Sequence, residues 1–206
     1  MTHRRRRDDG ATLIEMSIVA TLVFTVFLAM FEFGTLYRDS LTATDAVADA
    51  TRIGAIIGPD VQTDGSTADY AIVKSVREGL AALNDSAVLY VVVFKASGTG
   101  DDAESQVPTA CRNGTSLAGI CNSYNGPAAF GAVESGDIDY FTCSAADTAA
   151  CSWNPTTRSD GPTSAQVETL GVYVKIRRGG ITGLFGDDFT ITRASTIRLE
   201  PGITEP

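Results

Sequence analysis

Gly10–Phe33 reads G-A-T-L-I-E-M-S-I-V-A-T-L-V-F-T-V-F-L-A-M-F-E-F, an apolar run with one acid near each end, Glu15 and Glu32. No charge falls between Met16 and Phe31. With its flanks, from Leu13 to Tyr37, the run supplies the ~20 residues that a membrane-spanning helix requires. Arg4 to Arg7 stand before it, and arginines beside an apolar segment resist translocation. The expected topology is therefore a single pass with the N-terminus in the cytoplasm and the remainder outside. A cleaved secretory signal fits less well: the run is too long, contains Glu15 and lacks a small-x-small site at its end, Ala46-Val47-Ala48 lying too far downstream. A plain anchor needs neither acid. An ionised side chain near the bilayer centre costs on the order of 3 kcal/mol, so Glu15 calls for a partner or a proton. Glu32, roughly 25 Å further along the helix, is expected to reach the outer headgroups at little cost.

Beyond Tyr37 the helical period continues. Ala43, Ala46, Val47, Ala50, Ile53, Gly54 and Ile57 recur at steps of three and four, while Arg38, Asp45, Asp49 and Arg52 occupy other faces. Small residues dominate this stripe, so neighbouring helices could pack closely on it. Gly58-Pro59 ends the helix, because proline cannot extend it. The expected division is a cytoplasmic leader over 1–10, a hydrophobic helix over 11–57 (membrane part about 13–37, stalk 38–57) and an extracytoplasmic domain over 58–206.

Within that domain, Ser66 or Thr67 is expected to cap a helix that runs to about Leu83, with Ile72, Val76, Leu80 and Leu83 on one face. Asp60, Asp64 and Gly65 imitate the opening of a calcium loop, but its twelfth position is Ala71 instead of glutamate. Ala87–Lys95 is a continuous apolar run suited to an interior strand. Residues 96–166 read as a long irregular insertion. Thr169–Arg178 alternates as a half-buried strand, and Phe189–Leu199 does so less cleanly, Arg193 and Ser195 suggesting a bulge. The expected fold is α+β: a long N-terminal transmembrane and stalk helix, then one helix on an antiparallel sheet with a disulfide-bearing insertion.

The chain carries 16 basic and 25 acidic residues, a net charge of −9, which argues against a nucleic-acid partner. Cys111, Cys121, Cys143 and Cys151 all lie beyond the apolar helix. Their even number there suggests two disulfides in an oxidising compartment. Three pairings are open, the short loops 111–121 and 143–151 being the first expectation. Zinc is the rival, but these spacings are far from the tight knuckle of such sites. The single histidine, His3, precedes the apolar helix, so no serine–histidine or cysteine–histidine catalytic pair can form in the domain. The loop G-G-I-T-G-L-F-G lacks a phosphate-binding pattern. No enzymatic activity, cofactor or metal is expected.

Gly10-Ala11-Thr12-Leu13-Ile14-Glu15 resembles the type IV prepilin processing motif, in which a glycine precedes the cut and a glutamate stands fifth in the mature chain. Glu32-Phe33-Gly34 and the alanine-rich run ending Thr51-Arg52-Ile53-Gly54-Ala55 are similar to TadE-like minor pseudopilins of tight-adherence (Tad/Flp) pilus systems; Thr196–Pro201 is loosely similar to their ends. The resemblance covers residues 10–57 well. It implies that Gly10 precedes prepilin-peptidase cleavage, that Ala11 becomes the new N-terminus, and that Glu15 registers subunits by meeting the amine of an arriving neighbour. Ala11 departs from the N-methylated phenylalanine usual in ordinary type IV pilins. The implied function is assembly or priming of a pilus, with the membrane, other pilin or pseudopilin subunits, the prepilin peptidase and the assembly platform as partners. The alternative is an uncleaved single-pass envelope protein whose outer domain binds a ligand or surface.

Overall fold

The structure, a computed structural model, describes residues 5–83, 87–99, 102–143, 149–161 and 167–199, with only the backbone described for 5–9. The leader residues 1–4 and the chain end from Glu200 lie outside the described residues. The element order is α1 (Arg5–Ile57), α2 (Ala68–Gly79), β1 (Val88–Ala96), α3 (Thr109–Arg112), β2 (Cys121–Asn125), α4 (Gly126–Ser135), β3 (Thr169–Gly179) and β4 (Asp188–Arg198). The fold is α+β, with one four-stranded sheet ordered β2-β1-β3-β4. The chain separates into two compact units, Met1–Arg38 with Gly179–Phe189, and Asp39–Arg178 with Thr190–Pro206.

In the larger unit, β1 is the interior strand its apolar run suggests. It pairs antiparallel with β2 (Val92 opposite Ser123) and with β3 (Val93 opposite Val172). Successive side chains alternate between the two faces of a strand, and both faces of β1 are covered: Val91, Val92, Val93 and Phe94 are all fully buried. Val92 and Phe94 join Ala96, Val107, Cys111, Cys121 and Tyr173 in one cluster. Gly171 lies opposite Phe94 in the β1–β3 ladder, and an added Cβ there would stand 2.3 Å from the Phe94 ring. The aromatic ring takes the space a side chain would need.

The distal part of α1 belongs to this unit. Ala43, Ala46, Val47, Ala50 and Gly54 are buried, while Ile53 is partly exposed and Ile57 half-buried. The stripe packs closely against this chain's own elements. A Cβ on Gly54 would stand 2.5 Å from Ile72 and 2.7 Å from Leu170, and a Cβ on Gly79 would stand 2.6 Å from Ala46. Small residues on both helices set how near α1 and α2 approach. Gly58, at φ +58°, turns the chain after α1, its N–H donating to the Gly54 carbonyl.

Three expectations change. α2 ends at Gly79; Leu80 and Leu83 are buried in the turns that follow. Thr67 precedes α2, but its hydroxyl donates to the Phe141 carbonyl and caps nothing. The 96–166 insertion contains β2 and α4, so the sheet carries more than one helix. Asn125 caps α4, its side chain accepting from the Ala128 N–H, with Pro127 in the first turn and Gly136 left-handed at the end. The disulfides join Cys111 to Cys121 and Cys143 to Cys151, the two short loops.

Candidate functional site

The smaller unit contains the residues singled out in the apolar helix. Gly10, Ala11 and Glu15 are exposed on α1, and around Gly10 a Cβ would meet nothing within 4 Å. From Leu13 to Tyr37 large apolar side chains stand free, among them Leu13 at 70% exposure, Phe24 at 68% and Met30 at 68%. Within Gly10–Ile57 the mean hydropathy reaches 2.2 with none of that window buried, so α1 is long and apolar enough to cross a membrane. Lipid is the environment in which such a surface ceases to be a liability.

Polar side chains inside this segment satisfy themselves. The hydroxyls of Ser17, Thr21 and Thr25 donate to the carbonyls of Leu13, Ser17 and Thr21 at 2.8, 2.8 and 2.9 Å. Back-bonding of this kind removes the cost of carrying hydroxyls in an apolar setting. Their four-residue spacing puts them on one face. That spacing is plain in the sequence, yet sequence reading passed over it. Glu15 differs from these hydroxyls: no described side chain of this chain pairs with it.

Glu32 departs from expectation. It is not left free but is 1% exposed, held within its own chain. Its carboxylate accepts from the backbone N–H of Ile181 at 3.0 Å, from the N–H of Thr182 at 3.1 Å, and from the Thr182 hydroxyl. The loop between β3 and β4 is shaped for this contact. Gly180 donates to the Asp187 carbonyl at 2.8 Å, and a Cβ on Gly180 would sit 2.2 Å from the Gly186 carbonyl oxygen and 3.1 Å from Glu32 Oε1. Gly183 and Gly186 have positive φ, +67° and +134°, conformations that favour glycine. Phe33, next to Glu32, meets Phe185 of the loop with ring centres 5.6 Å apart and the planes tilted by 53°. The glycine-rich loop expected to be an ordinary connection is thus a socket for the helix's second acid. Its glycines were visible in the sequence, but their target lies about 150 residues away.

The larger unit holds a second polar constellation that sequence reading missed. Asp69 on α2 accepts from Asn122 Nδ2 and from the Tyr124 hydroxyl, each at 2.7 Å. Its other oxygen faces Arg158 Nη2 at 2.6 Å, with both side chains fully buried. The Arg158 guanidinium lies 4.1 Å from the Trp153 ring centre, and Asn122 both donates to the Trp153 carbonyl and accepts from its N–H. Burial, then the Asp69 charge, push the Tyr124 phenol well above its ordinary value. Being sealed from solvent, the group ties Trp153 and Arg158 of the insertion, through β2, to Asp69 on α2. Trp153, 5% exposed, serves packing.

Arg193, the residue that breaks the β4 alternation, reaches back to α1: its guanidinium donates to Thr44 Oγ1 at 3.2 Å and to the Ser40 hydroxyl. Arg178 pairs with Asp39 at 3.1 Å. Polar residues of the two β strands therefore meet polar residues of the helix, which explains charge where a purely apolar face would be expected.

No curated protein and no solved structure matches the chain. The family model described as TadE-like protein matches residues 10–52, from the glycine of the processing-like motif almost to the end of α1, so it is this helix that carries the TadE-like segment.

Proposed function

We propose that the protein is a minor pilin or pseudopilin subunit that assembles or primes a Tad-type pilus. The observation that carries this reading is the TadE-like match beginning at Gly10 on an apolar helix whose side chains stand exposed. In this reading the prepilin peptidase cuts after Gly10, Ala11 becomes the N-terminus, and the exposed carboxylate of Glu15 meets the free amine of a neighbouring subunit. An intramembrane acid is costly alone and neutralised by such a partner. The larger unit lies outside the cytoplasm, where its two disulfides are stable, and contacts other minor subunits. Its action is assembly, not turnover.

The test is N-terminal sequencing and intact mass of the protein extracted from membranes of a strain that makes the pilus. The reading expects Ala11 as the first residue. A chain retaining Met1–Gly10 in assembled material would sink the processing step, and full membrane retention without any association with pilus components would favour an uncleaved envelope protein instead.

A further inference from the structure

We propose that the β3–β4 loop is a second membrane contact, seated at the outer lipid interface and held there by Glu32. This rests on the reading of α1 as membrane-spanning. Residues 179–186, G-G-I-T-G-L-F-G, carry no charge, and charge begins immediately on either side at Arg178 and Asp187. Ile181, Leu184 and Phe185 are 50%, 60% and 36% exposed on this tip. Three large apolar side chains on so short a loop are unfavourable in water and mark a contact surface.

Four backbone N–H groups of the loop find acceptors within the protein. The N–H groups of Ile181 and Thr182 donate to Glu32, that of Gly180 to Asp187, and that of Leu184 to Thr182 Oγ1 at 3.3 Å. Irregular backbone enters the apolar region only when its polar groups are satisfied by protein. The position also fits. Glu32 stands 19 residues after Leu13, roughly 29 Å along a helix, close to the hydrocarbon thickness of about 30 Å. The loop therefore meets the bilayer at the boundary opposite the arginines, continuous with the apolar surface of α1 in the same compact unit. Lipid is favoured over a protein partner because the tip adjoins a helix whose large apolar side chains are exposed from Leu13 to Phe33, and because the flanking charges give way to an uncharged tip, as in a segment dipping into an interface.

The full-length chain, with its disulfides intact, is reconstituted in vesicles of phosphatidylethanolamine and phosphatidylglycerol containing nitroxide-labelled acyl chains. An environment-sensitive fluorophore is placed singly by Leu184→Cys, by Phe24→Cys in the middle of the span, and by Val61→Cys in the larger unit. Quenching at positions 184 and 24, with none at 61, is the expected pattern. Quenching at 24 but not at 184 overturns the loop contact while leaving the membrane-spanning reading intact. Absence of quenching at 24 defeats that reading itself. A label at 184 that is shielded only as protein concentration rises, and not quenched by lipid, indicates a second copy and also overturns the proposal. Adding Glu32→Ala is expected to reduce quenching at 184 and leave it unchanged at 24; unchanged quenching at 184 would remove Glu32 from the mechanism.

Discussion

Asp69 and Arg158 form an ion pair at 2.6 Å with neither side chain exposed, and hydrogen bonds from Asn122 and Tyr124 occupy the remaining carboxylate oxygen. Burying two charges is expensive, and removing one partner strands the other, a loss of about 3–5 kcal/mol. Asp69→Asn is therefore expected to lower the urea midpoint of the full chain in detergent strongly. Glu134→Gln, which breaks the exposed Arg77–Glu134 pair at 3.3 Å, should cost under about 1 kcal/mol. Trp153 emission reports both, being the chain's single tryptophan. Equal losses from the two changes would contradict the structural role of the buried pair.

The buried phenols on the two faces of the sheet should make the protein sensitive to alkali. Burial raises the Tyr173 phenol to about 12, with the Glu104 charge adding to the effect, and raises Tyr124 as well. The fold accepts only the neutral phenols. Their contribution is complete below about pH 10, the value in the unfolded chain, and is lost as pH rises from there through the folded value. For Tyr173 the loss approaches about 3 kcal/mol near pH 12. Urea midpoints between pH 9 and 11.5 should fall more steeply for the native chain than for Tyr173→Phe, and parallel slopes would exclude this origin.

How far the sequence reveals this molecule depends on whether a residue's reason is local. The apolar helix and the β1 run are local patterns, and each forms where its period says; β3 forms over the expected span, but Tyr173, expected on the open face, is buried because the insertion covers that side as well. β2 reads Cys121-Asn-Ser-Tyr-Asn, which has no apolar alternation because its burial is purchased with hydrogen bonds: Asn122 to Asp69 and Trp153, Ser123 to the Cys111 carbonyl. Those partners are distant in sequence, so neither the strand nor the Asp69–Arg158 pair was legible. α4 was legible in Asn125-Gly126-Pro127 and Gly136, punctuation lost within a region taken to be irregular. Glu15 and Gly10 could be singled out because their spacing is short, whereas the role of Glu32 required the return of the chain at Gly180.

Close approach of α1 and α2 makes a prediction about single methyl groups. At Gly79 a Cβ would stand 2.6 Å from Ala46 Cβ and 3.0 Å from its Cα. Backbone cannot yield as a side-chain tip can, so Gly79→Ala must part the helices, at roughly 1–3 kcal/mol. Gly131 in α4 has nothing within 4 Å of an added Cβ, and there alanine should stabilise by up to about 1 kcal/mol through its better helix propensity. Opposite shifts in melting temperature are expected; a stabilising Gly79→Ala would show that the crossing is looser than its geometry.

The disulfides should separate by accessibility. Cys111 and Cys121 are fully buried in the cluster with Phe94 and Tyr173, while Cys143 is exposed. Mild reduction followed by alkylation is expected to label Cys143 and Cys151 first, read by peptide mass. Removing the 111–121 bridge by double alanine replacement should cost about 3 kcal/mol from loop entropy, in addition to lost packing. Simultaneous labelling of all four cysteines under native conditions would contradict the burial difference.

Glu15 and Glu32 lie in one apolar helix yet are expected to fail differently. Glu32 is already occupied by Ile181 and Thr182 of its own chain, so its replacement acts within the subunit. Glu15 is exposed, and the proposed partner, a neighbour's amine, comes from outside. Glu15→Leu makes the helix more apolar and should leave membrane retention intact, since an aliphatic residue is favourable where a carboxylate is costly. What should be lost is entry into the assembly: immunoblots would find the variant in the membrane fraction and strongly depleted from the sheared or co-purified pilus fraction. Glu15→Gln keeps the size but cannot neutralise an amine, and is expected to share the defect. Undiminished incorporation of both variants would exclude Glu15 from subunit registration and leave α1 as an anchor alone.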